Sequence, residues 1–499
     1  MNGYNVILFS DTTSYPVWMR GYGCYRLASH LKDNGYSCLV LDFSSELSLD
    51  YWKRICNSAV GSDTLLIGFS TTWWPYREPF TNSKRASRFL DFTSTTTVDD
   101  VFPNKGLIYD AMTNNLDQWI AVAKNINPNI KTIMGGHKID DYADAPVDYF
   151  MAGLSEVQII ELLDSFKTKK RIWPKVIKHN TAAAGPSWDF KLSQTNYQKT
   201  DFIKPNEVMS IEFTRGCRFK CSFCSYPLIG KKDISQYIKD KDVLYREFMN
   251  NYDQWGVTNY WVADDTLNDS TAKLEYIADV TNKLPFKLSL RAYTRLDVIA
   301  INLEQIDLLK QIGLYSTWIG VDSFHPVASK AIGKGMPAER RKDTLWKMRE
   351  AWKDDVWVDA GYIVGLPGED SKSVRDTVEW CTQDNSPITR LHTIPLILNP
   401  MSDVSPNYNR SDMDLNYQKY GYQIPDMKHP HFWTKDDGTD IRNFKEAATL
   451  TVELNAKIDQ YRLSLNKSLS INTTGCINDP ITEYYDPLIR LLEERVDTQ

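Results

Sequence analysis

Short apolar runs alternate with amphipathic stretches along the first third of the chain. A bounded apolar run is typical of a strand buried in a parallel sheet, and a period of about 3.6 residues is typical of the connecting helices. The runs predict strands at 5–9, 37–42, 64–70, 131–134 and 149–152, and the amphipathic stretches predict helices at 25–32, 107–123 and 156–166. Five repeats of this unit indicate a doubly wound, Rossmann-like α/β domain over residues 1–168.

Residues 71–105 interrupt this alternation. They contain Trp73, Trp74 and three Pro residues among many Ser and Thr. We predict a long loop at the carboxyl ends of the strands, the edge at which open α/β sheets bind ligands.

A second alternating series follows a polar stretch that we predict to be a linker at 169–205. Strands are predicted at 208–213, 260–263, 286–290, 317–321, 358–364 and 391–398. Six strand–helix units predict a partial (β/α)6 barrel of the TIM type over 206–400, because a complete eight-fold barrel takes about 250 residues. Residues 401–499 turn polar and irregular apart from a predicted helix at 443–463, and we predict a C-terminal cap there. Within it, the His, Pro, Phe and Trp residues of 429–433 either line a pocket or pack on the surface.

The charge balance limits the classes of partner. The 499 residues include 58 Lys and Arg against 64 Asp and Glu, a net charge of -6, so no positive field for gripping nucleic acid is indicated. No stretch reaches the roughly 20 apolar residues that cross a bilayer. The first apolar run has no Lys or Arg before it, which favours a strand over a signal peptide. We expect a cytoplasmic protein.

Three of the eight cysteines fall within one short segment, TRGCRFKCSFC, directly after the first predicted barrel strand. Thiolates at offsets of four and three can hold a cuboidal iron–sulfur cluster and leave one iron without a protein ligand. A zinc site is the alternative, but structural zinc takes four ligands, so a distant residue such as His325 would have to complete it. The other cysteines are predicted to be small buried apolar residues: Cys24, Cys38, Cys56, Cys381 and Cys476.

Residues beside the cysteines suit an anionic site. Gly216 allows a sharp turn, and Arg215, Arg218 and Lys220 place positive charge near the thiolates. Phe223 can shield a cluster from water. Each of these residues taken alone is equally explained as an exposed base or a core aromatic.

The CxxxCxxC segment, with an aromatic residue before its third Cys, resembles the hallmark of the radical S-adenosylmethionine superfamily. The resemblance covers about residues 206–400 and implies Cys217, Cys221 and Cys224 as ligands of a 4Fe-4S cluster. In that family the amino and carboxylate groups of S-adenosylmethionine chelate the open iron. An electron then cleaves the sulfonium, and a 5'-deoxyadenosyl radical abstracts hydrogen from a substrate.

Later segments are similar to further family motifs, each at the carboxyl end of a predicted strand. WVADDT resembles the second-strand motif, IGVDS the fourth-strand motif that usually carries Glu, and GLPGE the fifth-strand turn. The resemblance implies cofactor contacts by Asp264, Asp265, Arg291, Arg295, Asp322, Ser323, Gly365 and Pro367. Helix capping by the aspartates and an ordinary tight turn at the glycines are the alternatives.

A Rossmann-like domain ahead of such a barrel resembles the cobalamin-binding subgroup of the superfamily. The resemblance implies cobalamin contacts at strand ends by Ser70, Thr71, Gly135, Gly136 and Gly153, where glycines allow close approach of a flat macrocycle. The subgroup's DxHxxG segment is missing, because residues 10–16 read SDTTSYP. Either cobalamin binds without a protein His, or the domain has lost it and serves as a substrate platform. His30, inside a predicted helix, is expected to be structural.

These resemblances imply a radical enzyme that abstracts hydrogen and, through cobalamin, methylates an unactivated carbon. A cobalamin-independent radical oxidoreductase, cyclase or rearrangement enzyme is one alternative. An iron–sulfur redox sensor or binding protein is an alternative of another class. We expect a small-molecule or biosynthetic-intermediate substrate and a reductant such as flavodoxin or ferredoxin.

Overall fold

A computed structural model describes residues 3–11, 13–14, 17–70, 116–136, 145–168, 171–177, 184–185, 188–224, 233–400, 410–427, 432–464, 477 and 479–497. The predicted loop at 71–105, which includes Thr71, lies outside the described residues, as do residues 428–431 and Cys476.

The N-terminal domain contains a six-stranded parallel sheet. Its strands are β1 (Val6–Phe9), β2 (Cys38–Leu41), β3 (Leu66–Ser70), β4 (Lys131–Gly136), β5 (Tyr149–Ala152) and β6 (Val176–Ile177), in the order β2-β1-β3-β4-β5-β6. The connecting helices are α1 (Tyr22–Asp33), α2 (Leu49–Ala59), α3 (Leu116–Ile126) and α4 (Glu156–Thr168), with a 3-10 turn at Ser44–Glu46 and a two-stranded hairpin of Thr13–Ser14 and Val17–Trp18. This confirms the five predicted strands and the doubly wound fold.

The sheet is buried on both faces, which explains the continuous apolar runs of its strands. Phe9 packs on Trp52 of α2 at 4.9 Å between ring centroids, and the Trp52 indole donates a hydrogen bond of 2.9 Å to the Trp119 carbonyl of α3. Helix α2 was not predicted, although a parallel connection from β2 to β3 requires a crossover of this kind.

The second domain is a partial barrel of six parallel strands hydrogen-bonded in chain order. They are β7 (Val208–Ile211), β8 (Asn259–Val262), β9 (Ser289–Arg295), β10 (Leu314–Asp322), β11 (Trp357–Val364) and β12 (Arg390–Pro395). The helices are α5 (Lys241–Trp255), α6 (Thr271–Thr281), α7 (Leu296–Ile301), α8 (Gln305–Gln311), α9 (Pro326–Ala331), α10 (Ala338–Trp352) and α11 (Ser371–Cys381), and a 3-10 turn spans Ile234–Gln236. The six predicted strands and the partial barrel are confirmed.

The stretch predicted as a linker packs between the domains. Its described part forms the two-residue strands Ala184–Gly185 and Trp188–Asp189 and 3-10 turns at Phe190–Leu192 and Lys199–Asp201. Trp188, Phe190 and Tyr197 are buried. The Thr195 amide donates a hydrogen bond of 2.9 Å to Glu247 of α5. Although this stretch is polar in overall composition, its aromatic residues pack at the domain boundary.

The C-terminal region divides between the two domains. Its first part packs on the barrel. This part consists of helix α12 (Asp412–Leu415), a 3-10 turn (Tyr417–Tyr420), a pairing of Tyr422–Gln423 with Thr434–Lys435, and helix α13 (Phe444–Ser464). A π-helical turn (Ile481–Tyr485) and helix α14 (Asp486–Asp497) pack on the N-terminal sheet. There the Tyr484 hydroxyl donates a hydrogen bond of 2.6 Å to the Val40 carbonyl. None of the described helices is long and apolar enough to span a bilayer.

Candidate functional site

The three clustered cysteines lie on the loop that follows β7, and each is half-buried. Gly216 turns the chain into this loop with a φ of +88°, a conformation that favours glycine. Within the described ranges, no three His, Cys, Asp or Glu side chains are grouped to hold a single metal ion. A cubane cluster does not require its ligands to meet at a single metal ion, because each thiolate binds a separate iron. The loop with three half-buried thiols fits that ligand set.

The remaining described cysteines are buried away from the loop, as predicted. Cys24, Cys38, Cys56 and Cys381 are each 5% exposed or less. Burial raises the pKa of the Cys24 thiol to about 12, so that side chain stays protonated.

The ends of β8 and β9 meet the cysteine loop through polar contacts. Thr266 Oγ1 lies 3.5 Å from Cys217 Sγ. Arg295, the last residue of β9, donates a hydrogen bond of 2.7 Å from Nη1 to Cys221 Sγ. Asp297 pairs with the same guanidinium through both carboxylate oxygens at 3.1 and 2.6 Å, and the ring of Phe219 covers it at 4.0 Å. The arginine is therefore held in one orientation toward the thiol.

The two aspartates that follow β8 occupy different environments. Asp264 is 1% exposed, and its carboxylate accepts hydrogen bonds from the Phe213 and Thr214 amides at 2.8 and 3.0 Å. Lys273 of α6 pairs with it at 2.8 Å, with both side chains fully buried. Asp264 therefore holds the start of the cysteine loop against β8. Asp265 is half-buried, and burial together with the neighbouring Asp264 carboxylate raises its pKa to about 7.

Asp322 ends β10 in a strained conformation, with a φ of +55° at a register shift between β10 and β11. Its carboxylate forms a buried ion pair with Lys334, whose ammonium also lies 3.3 Å from the Gly320 carbonyl. Lys334 thus holds the aspartate that stands where the fourth-strand motif usually carries Glu. Arg291, lower on β9, is 1% exposed and donates to the Tyr315 hydroxyl.

The turn after β11 is tied to its neighbours through Glu369. The hydroxyls of Ser323 and Tyr362 both donate to Glu369 Oε1. Burial raises the pKa of Glu369 to about 7, so the fully buried carboxyl is partly protonated near neutral pH.

The C-terminal region covers the same turn. Gly365 has a φ of +97°, and a Cβ there would lie 2.9 Å from the Trp433 ring. The Tyr422 hydroxyl donates a hydrogen bond of 2.8 Å to the Gly365 carbonyl, and the Gly368 amide donates a hydrogen bond of 2.7 Å to the Asp437 carboxylate. Trp433 is fully buried, so this member of the predicted 429–433 group packs in the core. Pro367 is half-buried in the turn.

The N-terminal positions come together at one edge of their sheet. Ser70 ends β3 opposite Gly135 of β4, and Gly136 lies opposite Ala152 at the end of β5. Gly136 and Gly153 have φ values of +120° and +87°, which side chains rarely adopt. The three strand ends therefore form an edge at which glycines expose the backbone.

A buried ion network joins this edge to the cysteine loop. Arg215 lies two residues before Cys217. Its guanidinium donates one hydrogen bond of 2.7 Å to Glu156, at the start of α4, and another of 2.7 Å to Glu212. Burial alone would raise the pKa of Glu156, but the Arg215 and Arg26 guanidinium groups and the hydrogen bonds to the carboxylate together hold it below its usual value. No spacing in the sequence signals this contact, because the partners are 59 residues apart.

His30 is structural, as predicted. It is 3% exposed, and its Nε2 lies 2.9 Å from the Glu156 carbonyl. His30 therefore helps to seat the residue that reaches the cysteine loop.

Comparison with known proteins agrees with this site. Residues 211–381 match the family model described as the Radical SAM superfamily. The chain is 24% identical over 365 residues to "Uncharacterized methyltransferase PH0819" of Pyrococcus horikoshii, which covers 65% of this chain and 72% of the relative. It is 21% identical over 344 residues to an anaerobic magnesium-protoporphyrin IX monomethyl ester cyclase of Rubrivivax gelatinosus, covering 62% of this chain and 59% of that one.

Two solved structures share the whole architecture. TsrM of Kitasatospora setae, a radical S-adenosylmethionine methyltransferase solved with cobalamin and a [4Fe-4S] cluster, superposes with a TM-score of 0.59 at 13% identity, over 99% of this chain and 100% of that chain. OxsB, a cobalamin-dependent S-adenosylmethionine radical enzyme, has a TM-score of 0.52 at 12% identity, over 95% of this chain and 64% of that chain. Identities this low show a common fold.

The match to the family model covers the cysteine loop and the barrel strands that follow it. A domain of this kind implies a 4Fe-4S cluster, S-adenosylmethionine, a reductant and a small-molecule substrate. The barrel of this chain therefore contains a Radical SAM domain, which spans residues 211–381 and includes the cysteine loop.

Proposed function

We propose that this enzyme binds cobalamin on the glycine-lined edge of its N-terminal sheet and methylates an unactivated carbon of a small-molecule substrate. One observation carries the proposal: the hydrogen bond of 2.7 Å between Arg215 and Glu156 brings that edge directly against the cysteine loop. A methyl carrier seated on the edge would therefore face the reacting centre. The methyltransferase name of the Pyrococcus relative and the cobalamin in TsrM and OxsB support it.

Each domain has a separate part in this function. When bound, the cluster with S-adenosylmethionine supplies reductive sulfonium cleavage, and cobalamin supplies a transferable methyl group. In our proposal Cys217, Cys221 and Cys224 hold the cluster. Asp265 and Asp322 face the cofactor.

Other predicted site residues act through their neighbours in this proposal. Asp264 positions the cysteine loop, Ser323 and Gly365 position the turn after β11, and Arg295 stabilises charge beside Cys221. Arg291 orients the Tyr315 hydroxyl, to which it donates a hydrogen bond. Pro367 lies at the edge of the turn.

The N-terminal edge fits a flat ligand that takes no histidine from the first loop. Ser70, Gly135, Gly136 and Gly153 supply backbone and one hydroxyl, and Thr71 follows Ser70 in the chain. Residues 10–16 contain no His, so we propose that cobalamin binds without a protein ligand to cobalt from that loop. We place the reaction in the cytoplasm, with flavodoxin or ferredoxin as the electron donor.

The test separates the two cofactor sites. Protein produced with hydroxocobalamin and reconstituted without oxygen is assayed for bound corrinoid by absorbance and for 5'-deoxyadenosine after addition of dithionite and S-adenosylmethionine. We expect Gly135→Val to lose the corrinoid and keep 5'-deoxyadenosine formation, because a Cβ at this strand end would lie 3.2 Å from the Met151 carbonyl and would displace the backbone on which we propose that the corrinoid rests. We expect Cys217→Ala to lose 5'-deoxyadenosine formation and keep the corrinoid.

Matched variants control for general damage. Gly23→Val changes a glycine of α1 with open space around it, and Cys381→Ala changes a buried cysteine outside the loop; both should behave as wild type. Wild-type protein that cleaves S-adenosylmethionine but never retains corrinoid would favour the cobalamin-independent alternative, a radical oxidoreductase, cyclase or rearrangement enzyme. Absence of cleavage would favour a redox sensor.

A further inference from the structure

Aromatic side chains line the concave face of the barrel. Side chains alternate along a strand, and Leu290 and Ala292 of β9 pack outward in the apolar core. Tyr293 and Arg295, at the alternate positions that follow, therefore face inward. The same alternation turns Trp318 of β10 and Trp261 of β8 inward.

These inward side chains form a continuous wall. The ring of Tyr293 lies 5.9 Å from Trp261 and 6.4 Å from Trp318 between centroids. Trp318 then stacks on His392 of β12 at 4.4 Å with an angle of 27°. Four strands thus contribute to one aromatic surface.

Gly361 makes the last stack possible. Strand β11 lies between β10 and β12, so the Trp318 indole must cross it to reach His392. A Cβ on Gly361 would lie 3.0 Å from the Trp318 Nε1 atom, closer than most real contacts of this kind. The absence of a side chain at this position lets the indole lie flat over the strand.

The wall borders open space. Tyr293 is 39% exposed although β9 lies within the sheet, and Ile394 of the edge strand β12 is 53% exposed. Packed interiors leave few voids, so exposed apolar residues on an inner face indicate a binding cavity. Arg295, two residues beyond Tyr293, contacts Cys221, which places the wall roughly 7 Å along the strand from the cluster loop.

We propose that the substrate carries a planar aromatic ring system that stacks on Trp318 and Tyr293 inside the barrel. This assignment deepens the proposed function, on which the reaction at the substrate rests, but the binding itself requires neither S-adenosylmethionine cleavage nor cobalamin. Ring faces favour a flat π-system over a saturated ring of equal size.

The test compares two probes of matched shape. Binding of 2-naphthol and of decahydro-2-naphthol to the cluster-reconstituted full chain is measured by calorimetry without oxygen. We expect 2-naphthol to bind about tenfold more tightly. Trp318→Leu should weaken 2-naphthol about tenfold and leave the saturated probe unchanged, and Gly361→Ala should act in the same direction by displacing the indole. Trp318→Phe keeps a ring and should retain most of the affinity.

Trp346→Leu is the matched control, because this indole is 39% exposed on α10 outside the barrel. Equal affinity for the two probes, absence of saturable 2-naphthol binding, or wild-type affinity in both Trp318→Leu and Gly361→Ala would overturn the inference. Loss of corrinoid or of 5'-deoxyadenosine would count against the proposed function alone and leave this result standing.

Discussion

Arg295 reaches across from the end of β9 to place its Nη1 atom 2.7 Å from Cys221 Sγ. Both carboxylate oxygens of Asp297 hold the guanidinium in this position. Hydrogen bonds to ligand sulfurs are among the levers that set the potential of an iron–sulfur cluster. The contact therefore links a residue of the barrel wall to the redox chemistry of the loop.

Replacing this arginine should make the cluster harder to reduce. Arg295→Gln removes a positive charge that stabilises the more negative, reduced cluster, so we expect the midpoint potential to fall by about 60 mV, equivalent to roughly 1.4 kcal/mol. The measurement is a redox titration of the reconstituted protein followed by electron paramagnetic resonance. Arg340→Gln, an exposed arginine on α10, should not shift the potential. An unchanged potential in Arg295→Gln would contradict the assignment.

The Lys273–Asp264 pair should dominate the stability of the loop end of the barrel. Lys273→Met leaves Asp264 buried without its cation, a change that costs about 3 to 5 kcal/mol. The midpoint of urea unfolding should fall accordingly. Lys310→Met removes a pair whose side chains are 45% and 66% exposed, and it should cost less than about 1 kcal/mol. Similar losses in the two variants would show that burial does not decide the strength of the pair.

Glu369 should make stability depend on pH below neutrality. Its pKa is raised to about 7 from an ordinary 4.5, so between these values the unfolded chain binds fewer protons than the folded one. Stability therefore falls as pH rises through this window, by up to about 1.4 kcal/mol per unit and about 3 kcal/mol in all, and this contribution levels off above pH 7.

Glu369→Gln tests this directly, because the amide can still accept from Ser323 and Tyr362 but does not titrate. We expect a flatter stability profile in urea unfolding measured between pH 5 and pH 8. Asp201 also has a pKa raised to about 7 by burial, so some slope will persist in the variant. Glu350→Gln, at an exposed position of α10, serves as the control and should leave the profile unchanged. Parallel profiles for wild type and Glu369→Gln would refute the prediction.

Gly365 should resist substitution for two separable reasons. Gly365→Ala forces a Cβ into a φ of +97° and to 2.9 Å from Trp433, so we expect a loss of about 2 to 4 kcal/mol in thermal unfolding. Gly421→Ala isolates the backbone component, because Gly421 has a φ of +85° with no atom within 4 Å of the added Cβ. It should cost about 1 to 2 kcal/mol. Equal losses would mean that Trp433 moves aside.

Local signals in the chain predicted most of the architecture. Five strands of the N-terminal sheet and the six strands of the barrel were predicted because buried parallel strands are short continuous apolar runs, and the order of motifs along the chain matched the order of strand ends. The two-residue strand β6 was not predicted, since it lies in the stretch assigned to the linker. The segment before β7 was misjudged as a polar linker, since Trp188, Phe190 and Tyr197 are too widely spaced to show a period. Helix α2 was overlooked although its buried residues Trp52, Ile55, Cys56 and Ala59 follow the helical period, with Asp50, Lys53 and Arg54 on the other positions.

The sequence predicted which residues lie near the site better than it predicted what each of them does there. The spacing of the three cysteines identified the loop, but adjacent Asp264 and Asp265 look equivalent in one dimension. Only Lys273, on the following helix, separates a buried structural carboxylate from one that borders the site.

From the amino-acid order alone came the two alternating domains, the cysteine loop and the strand ends that surround it, since each depends on neighbours within a few residues. Tertiary structure decided which side chains meet across distance: Arg215 with Glu156, Arg295 with Cys221, and Trp318 with His392. Such contacts depend on how sheets twist and domains pack, and these are properties of the whole chain that no short window of sequence contains.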